Sequence, residues 1–391
     1  MNDNQRFALQ PQEARMKASW DIFCSVVDNY GDAGVTWRLA RQLVAEHGLQ
    51  VRLWIDDLSA FARLCPGADA AAVQQQHEGV SVCQWPVQWA STVIPDAVIE
   101  AFACRLPESY TEAMLQHSPR PLWLNLDYLS AEEWVSGCHG LPSPQSNGLK
   151  KFFFFPGFSD TTGGLLRERD LVNRRHAFEH DKAAQRAFLD GLGVEPQEDT
   201  RLISVFAYEN PGLGSWLDVL ANDERPTHML VPEGRILGDL QRWLGSELAV
   251  GTTQVRGALT VQVLPFVSQE QYDLLLWSCD FNIVRGEDSF VRAQWAGRPM
   301  LWHIYQQEDD AHLPKLDAFL ALYLDGLSPP AGQALSRLWH GWSAGGDLAD
   351  SWKELMAHWP EIERHAERWC LQQAAQTDLA TALVQFYGNS L

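Results

Sequence analysis

Two successive series of short apolar runs, each run divided from the next by a helical pattern, constrain this chain more than any other feature. In the first series WDIFCSVV (Trp20 to Val27) meets the glycine-containing break DNYGDAG (Asp28 to Gly34). Apolar residues then recur at Val35, Leu39 and Leu43, with Ala40 and Val44 beside them, until His47-Gly48. Spacings of three and four predict an amphipathic helix that stops at the glycine. VRLWI (Val51 to Ile55) completes a strand–helix–strand unit, and VSVCQW (Val80 to Trp85), AVIEAF (Ala97 to Phe102) and LWLNL (Leu122 to Leu126) continue the strands. The second series comprises LISVFAY (Leu202 to Tyr208), THMLV (Thr227 to Val231), LTVQVLPF (Leu259 to Phe266), FNIV (Phe281 to Val284) and PMLWHI (Pro299 to Ile304). Between the two, Ser143 to Gly164 carries Pro, Gly and Ser around the run Phe152 to Phe155 and reads as the approach to a domain boundary, followed by a charged helical stretch, Arg167 to Leu192.

Strands alternating with helices imply mostly parallel sheets covered on both faces. Two such series predict an α/β chain of two Rossmann-like halves facing a cleft, the GT-B arrangement, with ligands beyond the carboxyl ends of the strands. The expected division is a leader over residues 1–15, a first half over 16–195 and a second over 196–365. A final helix, 366–391, is expected to pack back on the first half. Fold alone does not choose among transferases, epimerases and dehydrogenases, so the sites must.

Several classes of function are disfavoured by composition. The net charge of −20 repels phosphate backbones and anionic lipid, and no basic patch offsets it, so nucleic acid and membrane surfaces are poor partners. No eighteen consecutive residues are apolar and the polar start has no signal-like core; a soluble, cytoplasmic, monomeric protein is expected. The seven cysteines are scattered without a CxxC pair, which argues against a disulfide framework and against a metal site. The pair Asp309-Asp310 reads as a solvated loop rather than a metal motif.

VRGEDSFVRAQWAGRPMLW (Val284 to Trp302) runs strand, glycine, polar cluster, helix, strand. Ser289 falls near the helix N-terminus, where free amides and the dipole favour an anion, and Arg285 adds a positive charge; together they suit a nucleotide diphosphate. An ordinary helix with a serine cap is the competing interpretation. Glu287 and Asp288 would be costly beside phosphates unless they face sugar hydroxyls or pair with arginine. Phe266 and Tyr272 bracket Gln269, a set able to stack on and hydrogen-bond a pyrimidine; Phe206 and Tyr208, at the end of a strand run, could do the same. Core packing competes for each of these aromatics.

After the first strand a dinucleotide enzyme would show GxGxxG, whereas this chain has Asp28 and Asp32 four apart in a turn. Two carboxylates suit a guanidinium, whose planar fork matches carboxylate oxygens, and transfer to nitrogen needs a group that takes a proton. Asp32 is the candidate base. Alternatively Asp28 caps the turn and Asp32 is the N-cap of the helix.

Three motifs, FCSVVDNYGDAGVTWRLARQL, FFFFPGFSDTTGGLLRE and RGEDSFVRAQWAGRPMLWHIYQQ, occur in an order that resembles the EarP protein-arginine rhamnosyltransferases, over nearly the whole chain after Met16. The resemblance implies a GT-B fold, dTDP-β-L-rhamnose as donor and inversion at the anomeric centre; no metal or other cofactor is expected, because protein donors can neutralise the leaving group. It implies as acceptor one arginine on a loop of elongation factor P, which is thereby activated to rescue ribosomes stalled at polyproline. By motif, Asp28, Asp32 and Glu287 resemble the family's essential acidic residues, Asp32 standing at the base position. Phe206, Tyr208, Phe266, Gln269, Arg285, Asp288 and Ser289 resemble its nucleotide-holding set. A GT-B transferase or epimerase acting on a small molecule is the alternative.

Overall fold

The computed structural model describes residues 17–27, 30–86, 89, 93–306 and 312–390. Its first eight strands form one sheet: β1 (Ser19–Cys24), β2 (Gln50–Ile55), β3 (Gln74–His77), β4 (Val80–Gln84), β5 (Ala97–Ala101), β6 (Leu122–Leu126), β7 (Pro142–Pro144) and β8 (Lys150–Phe154). They lie in the order β3-β4-β2-β1-β5-β6-β8-β7, parallel from β4 to β8 with an antiparallel strand at each edge. A second sheet holds β9 (Arg201–Val205), β10 (Thr227–Pro232), β11 (Thr253–Arg256), β12 (Leu259–Leu264), β13 (Phe281–Arg285) and β14 (Met300–His303), in the order β11-β12-β10-β9-β13-β14. Only β11 runs antiparallel there.

Strand order reverses beside β1 in the first sheet and beside β9 in the second, so each sheet has a switch point at which successive loops splay apart and leave a crevice. The loops after β9 and β13 carry Phe206, Tyr208 and Glu287, and the helix after β1 has Asp32 in its first turn. The run LISVFAY ends as a strand at Val205, which leaves Phe206 and Tyr208 in the loop beyond it.

The helix Gly31–His47 joins the two halves. Eleven of its seventeen residues are buried, because one face covers the first sheet through Val35, Leu39, Ala40 and Leu43 while Asp32 and Arg38 face the second half. Gly48 ends it in the left-handed conformation (φ 67°), as the glycine predicts. At Gly34 an added Cβ would stand 3.2 Å from Gln269 Nε2, so a residue without a side chain lets this helix lie against the second half.

The apolar cores divide differently from the expected 16–195 and 196–365. Leu171, from the helix Leu171–His180, sits in the main core of the second sheet, and Leu189 and Val194 pack with Leu202, Leu230 and Leu264 on its other face. The helix Trp359–Ala374 also belongs to that half through Ile362, Trp369 and Cys370. The chain crosses back only with the helix Leu379–Ser390, whose Leu379, Ala380 and Leu383 enter the first core and whose Tyr387 meets Trp20 at 5.5 Å. Among the described residues no helix is long and apolar enough to cross a membrane.

A buried ionic network fastens the halves together. Asp273, on the helix Gln269–Ser278, receives Arg38 Nη2 at 3.1 Å and Arg292 Nη2 at 2.6 Å. Glu168 completes the network, 2.8 Å from Arg292 Nη1 and 3.6 Å from Arg38 Nη1, and the two guanidiniums hold its carboxyl well below the usual carboxylate range.

Candidate active site

Asp32 lies in the first turn of the Gly31–His47 helix and is 3% exposed. It is not the N-cap: Tyr30 holds that position without a side-chain cap bond. The Asp32 carboxylate turns back instead, Oδ2 accepting the Val27 N–H at 3.0 Å, and after burial its charge helps push the neighbouring Tyr128 phenol above its ordinary range. Asp28, its expected companion, and the Asp309-Asp310 pair lie outside the described residues.

On the facing side, β13 ends at Arg285 and the chain turns through Gly286 (φ 66°), a backbone conformation that costs a glycine little. The helix Asp288–Trp295 starts immediately afterwards with Glu287 at its N-cap position. Glu287 does not cap the helix; its Oε2 crosses to the first half and accepts the Leu129 N–H at 2.8 Å. Burial, then the charges of Asp32, Asp127 and Asp288, push the Glu287 carboxyl up to about 8, against the opposing pull of the Leu129 N–H. Near neutral pH it is therefore mainly a neutral acid, able to donate a hydrogen bond.

Arg285 is sandwiched between aromatic faces, its guanidinium carbon 4.5 Å from the Phe206 ring centre and 4.7 Å from that of Tyr208. It is 9% exposed and its Nη1 has no hydrogen-bond partner among the described residues. A buried guanidinium N–H left this way is suited to an anion. The Ser289 hydroxyl donates to the Arg285 carbonyl, so the serine braces the turn that begins the helix as well as standing near its free amides.

Phe206, Phe266, Gln269, Tyr272, Arg285 and Ser289 line a cavity of about 770 Å³, open to solvent. Asp32, Tyr128, Tyr208, Arg235, Glu287 and Lys315 line an adjoining chamber of about 1340 Å³. Gly31, Gly286 and Glu287 belong to both, so the two spaces join at Glu287.

Two of the expected nucleotide-holding side chains carry a second task. Gln269 is 5% exposed; its Nε2 donates to the Gly34 carbonyl at 3.0 Å and its Oε1 accepts from Arg41 Nη2 at 2.9 Å. Asp288 Oδ1 stands 3.0 Å from Arg38 Nε, which offsets a carboxylate at the mouth of an anion pocket. Both residues tie the cavity wall to the Gly31–His47 helix. Tyr208 lines the larger chamber rather than the smaller one. Phe266 makes an edge contact with Tyr30 at 5.3 Å between ring centres and carries Arg63 over its face at 5.0 Å.

Sequence reasoning missed Tyr128 and Leu129, in the loop after β6, and Phe102, directly after β5. Their position at the carboxyl ends of strands beside the switch point was a signal that could have pointed to them. Among the described residues no group of three His, Cys, Asp or Glu side chains is placed to hold a metal ion.

The family described as Elongation-Factor P (EF-P) rhamnosyltransferase EarP matches residues 20–388. A protein-arginine rhamnosyltransferase of Pseudomonas putida is 64% identical over 377 residues, 96% of this chain and the whole of the relative. A solved structure described as the structural basis for EarP-mediated arginine glycosylation of translation elongation factor EF-P superposes with a TM-score of 0.70 at 51% identity, covering 96% of this chain and all of that one. A glycosyltransferase from Rickettsia africae, 10% identical with a TM-score of 0.54 over 96% of this chain and 99% of its own, shares the fold alone. The two facing sheets are a GT-B fold, and the chain belongs to the EarP family of elongation factor P rhamnosyltransferases.

Proposed function

We propose that this chain transfers L-rhamnose from dTDP-β-L-rhamnose to an arginine side chain of elongation factor P, in the cytoplasm, with inversion at the anomeric centre and without a metal ion. The observation that carries the reading is that Asp32 and Glu287, from opposite halves, line one chamber that opens into the Arg285 cavity. Membership in the EarP family supports the donor and acceptor classes. The protein works as a monomer and needs no nucleic acid.

In this mechanism the aromatic wall of the smaller cavity receives the pyrimidine, and the diphosphate lies against the free amides of the Asp288–Trp295 helix and the unpaired N–H of Arg285. The sugar then sits at Gly286 and Glu287, where the two spaces join. The acceptor guanidinium enters the larger chamber beside Asp32. A guanidinium nitrogen attacks the anomeric carbon as Asp32 takes its proton; the new C–N bond forms while the C–O bond to the diphosphate breaks, and dTDP leaves with the electron pair. Protein donors neutralise the leaving group, so no cation is required. One displacement converts the β-L donor into an α-L product. Nuclear magnetic resonance of the modified arginine tests this: an α linkage formed at an unchanged rate in chelator supports the mechanism, and a β linkage or loss of activity in chelator contradicts it.

Glu287 gives the reaction a pH signature. Its neutral carboxyl is the form assigned to donor positioning, so kcat/KM falls as pH rises through about 8, the value to which its surroundings push it. Glu287→Gln, fixed in the neutral state, lacks that alkaline limb while retaining part of the activity. A wild-type profile flat across the alkaline range would remove this role. Stability follows the same sign: the folded protein keeps a proton that an unfolded chain releases near 4.5, so the contribution is complete below that pH and lost as pH rises through about 8.

A further inference from the structure

Tyr128 has no role in the mechanism so far, yet it lines the chamber shared by the first half's acid and the second half's. The next residue, Leu129, gives its N–H to Glu287 Oε2 at 2.8 Å. One ring face lies on Phe102, with centres 4.7 Å apart and planes 23° from parallel. The ring nevertheless remains 38% exposed and lines the larger chamber beside Asp32 and Glu287.

The backbone holds this ring in place at some cost. Phe102 and Ala103 both adopt φ of 56°, a left-handed conformation that residues with a Cβ rarely take, and two in succession persist only where the surroundings enforce them. The Phe102 N–H donates to the Leu126 carbonyl at 2.7 Å, which locks the end of β5 to the end of β6 and sets the phenyl ring against Tyr128. On the other side, Asp127 Oδ1 accepts the Tyr128 N–H at 2.8 Å. A solvated tyrosine needs no such support.

An aromatic face bordered by a carboxylate and a neutral carboxyl matches a planar cation with N–H groups around its edge. A guanidinium can lie flat on the ring while its edge reaches Asp32, whereas an ammonium ion has no plane to stack. We infer that Tyr128 is the acceptor-stacking residue of this enzyme, its ring selecting the guanidinium beside the base Asp32. This rests on the arginine-transfer reading above.

Two variants test the claim when KM and kcat are measured for elongation factor P and for the donor. Tyr128→Leu removes the stacking face and raises the acceptor KM by roughly tenfold, the scale of a desolvated cation–π contact, with the donor KM unchanged. Tyr128→Phe keeps the ring and its stack on Phe102, so the acceptor KM holds. The exposed position lets both variants fold, as an unchanged thermal midpoint will confirm. The inference is overturned if Tyr128→Leu leaves the acceptor KM unchanged, or if both variants raise donor and acceptor KM together. Transfer by the unaltered chain in the same assay separates failure of this inference from failure of the function it rests on.

Discussion

Replacing Asp32 with Asn lowers kcat/KM by about 10³-fold or more, the upper part of the range for loss of a general base, while the donor binds as before. The substitution is nearly isosteric, and an amide oxygen can still accept the Val27 N–H that fixes the side chain. What disappears is the capacity to take a proton from the attacking nitrogen. Donor affinity survives because Asp32 lines the larger chamber, whereas Phe206, Phe266 and Arg285 line the smaller one. Calorimetric titration with dTDP-β-L-rhamnose beside a transfer assay reads both quantities; ordinary turnover by Asp32→Asn would remove this residue from the mechanism.

The second large effect falls on stability. Asp273 is 5% exposed and takes hydrogen bonds from two guanidiniums: Arg38 at 3.1 and 3.2 Å and Arg292 at 2.6 and 2.8 Å. Asp273→Ala leaves both cations buried at the junction of the two halves with Glu168 and Asp288 as their remaining carboxylate partners. Breaking such a site costs roughly 3–5 kcal/mol, far above the ~0–1 kcal/mol of an exposed ion pair. Glu270, about half exposed and paired with Arg41, is the matched control, and Glu270→Ala should fall in the lower range. Urea unfolding midpoints compare them, and an Asp273→Ala loss no larger than the control's would show that the network does not fasten the halves. Because Gln269 and Asp288 join this network and the cavity wall, Asp273→Ala should also weaken donor binding.

The central strands were legible because a strand covered on both faces must be apolar along its whole length, as in VRLWI and FNIV. The antiparallel edge strands were not. β3 is QQQH and β11 is TQVR, each with a single neighbouring strand and mainly exposed or half-exposed side chains, so neither carries an apolar signature. β8 hid within the segment read as a boundary, its phenylalanines flanked by turn residues. Periodicity likewise shows which face of a helix is apolar but not which sheet it covers, and for that reason the residues from Leu171 to Val194 were grouped with the first half although they pack on the second.

Residues in the loops after β1, β9 and β13 could be found by position, since strand order at a switch point makes those loops converge. What remained hidden was how they are shared. Nothing local in LPFVSQEQYDLLL says that Gln269 bonds Gly34, 235 residues away, or that Leu129 reaches Glu287 from 158 residues away. Such contacts exist only once the two halves close on each other.

Intact-mass spectrometry of elongation factor P, incubated with this protein and dTDP-β-L-rhamnose, tests the central claim most directly, with an acceptor whose target arginine is replaced by lysine as control. One added deoxyhexose on the wild-type acceptor, and none on the lysine form, is the predicted result; an unmodified wild-type acceptor, with both proteins folded, would contradict the account.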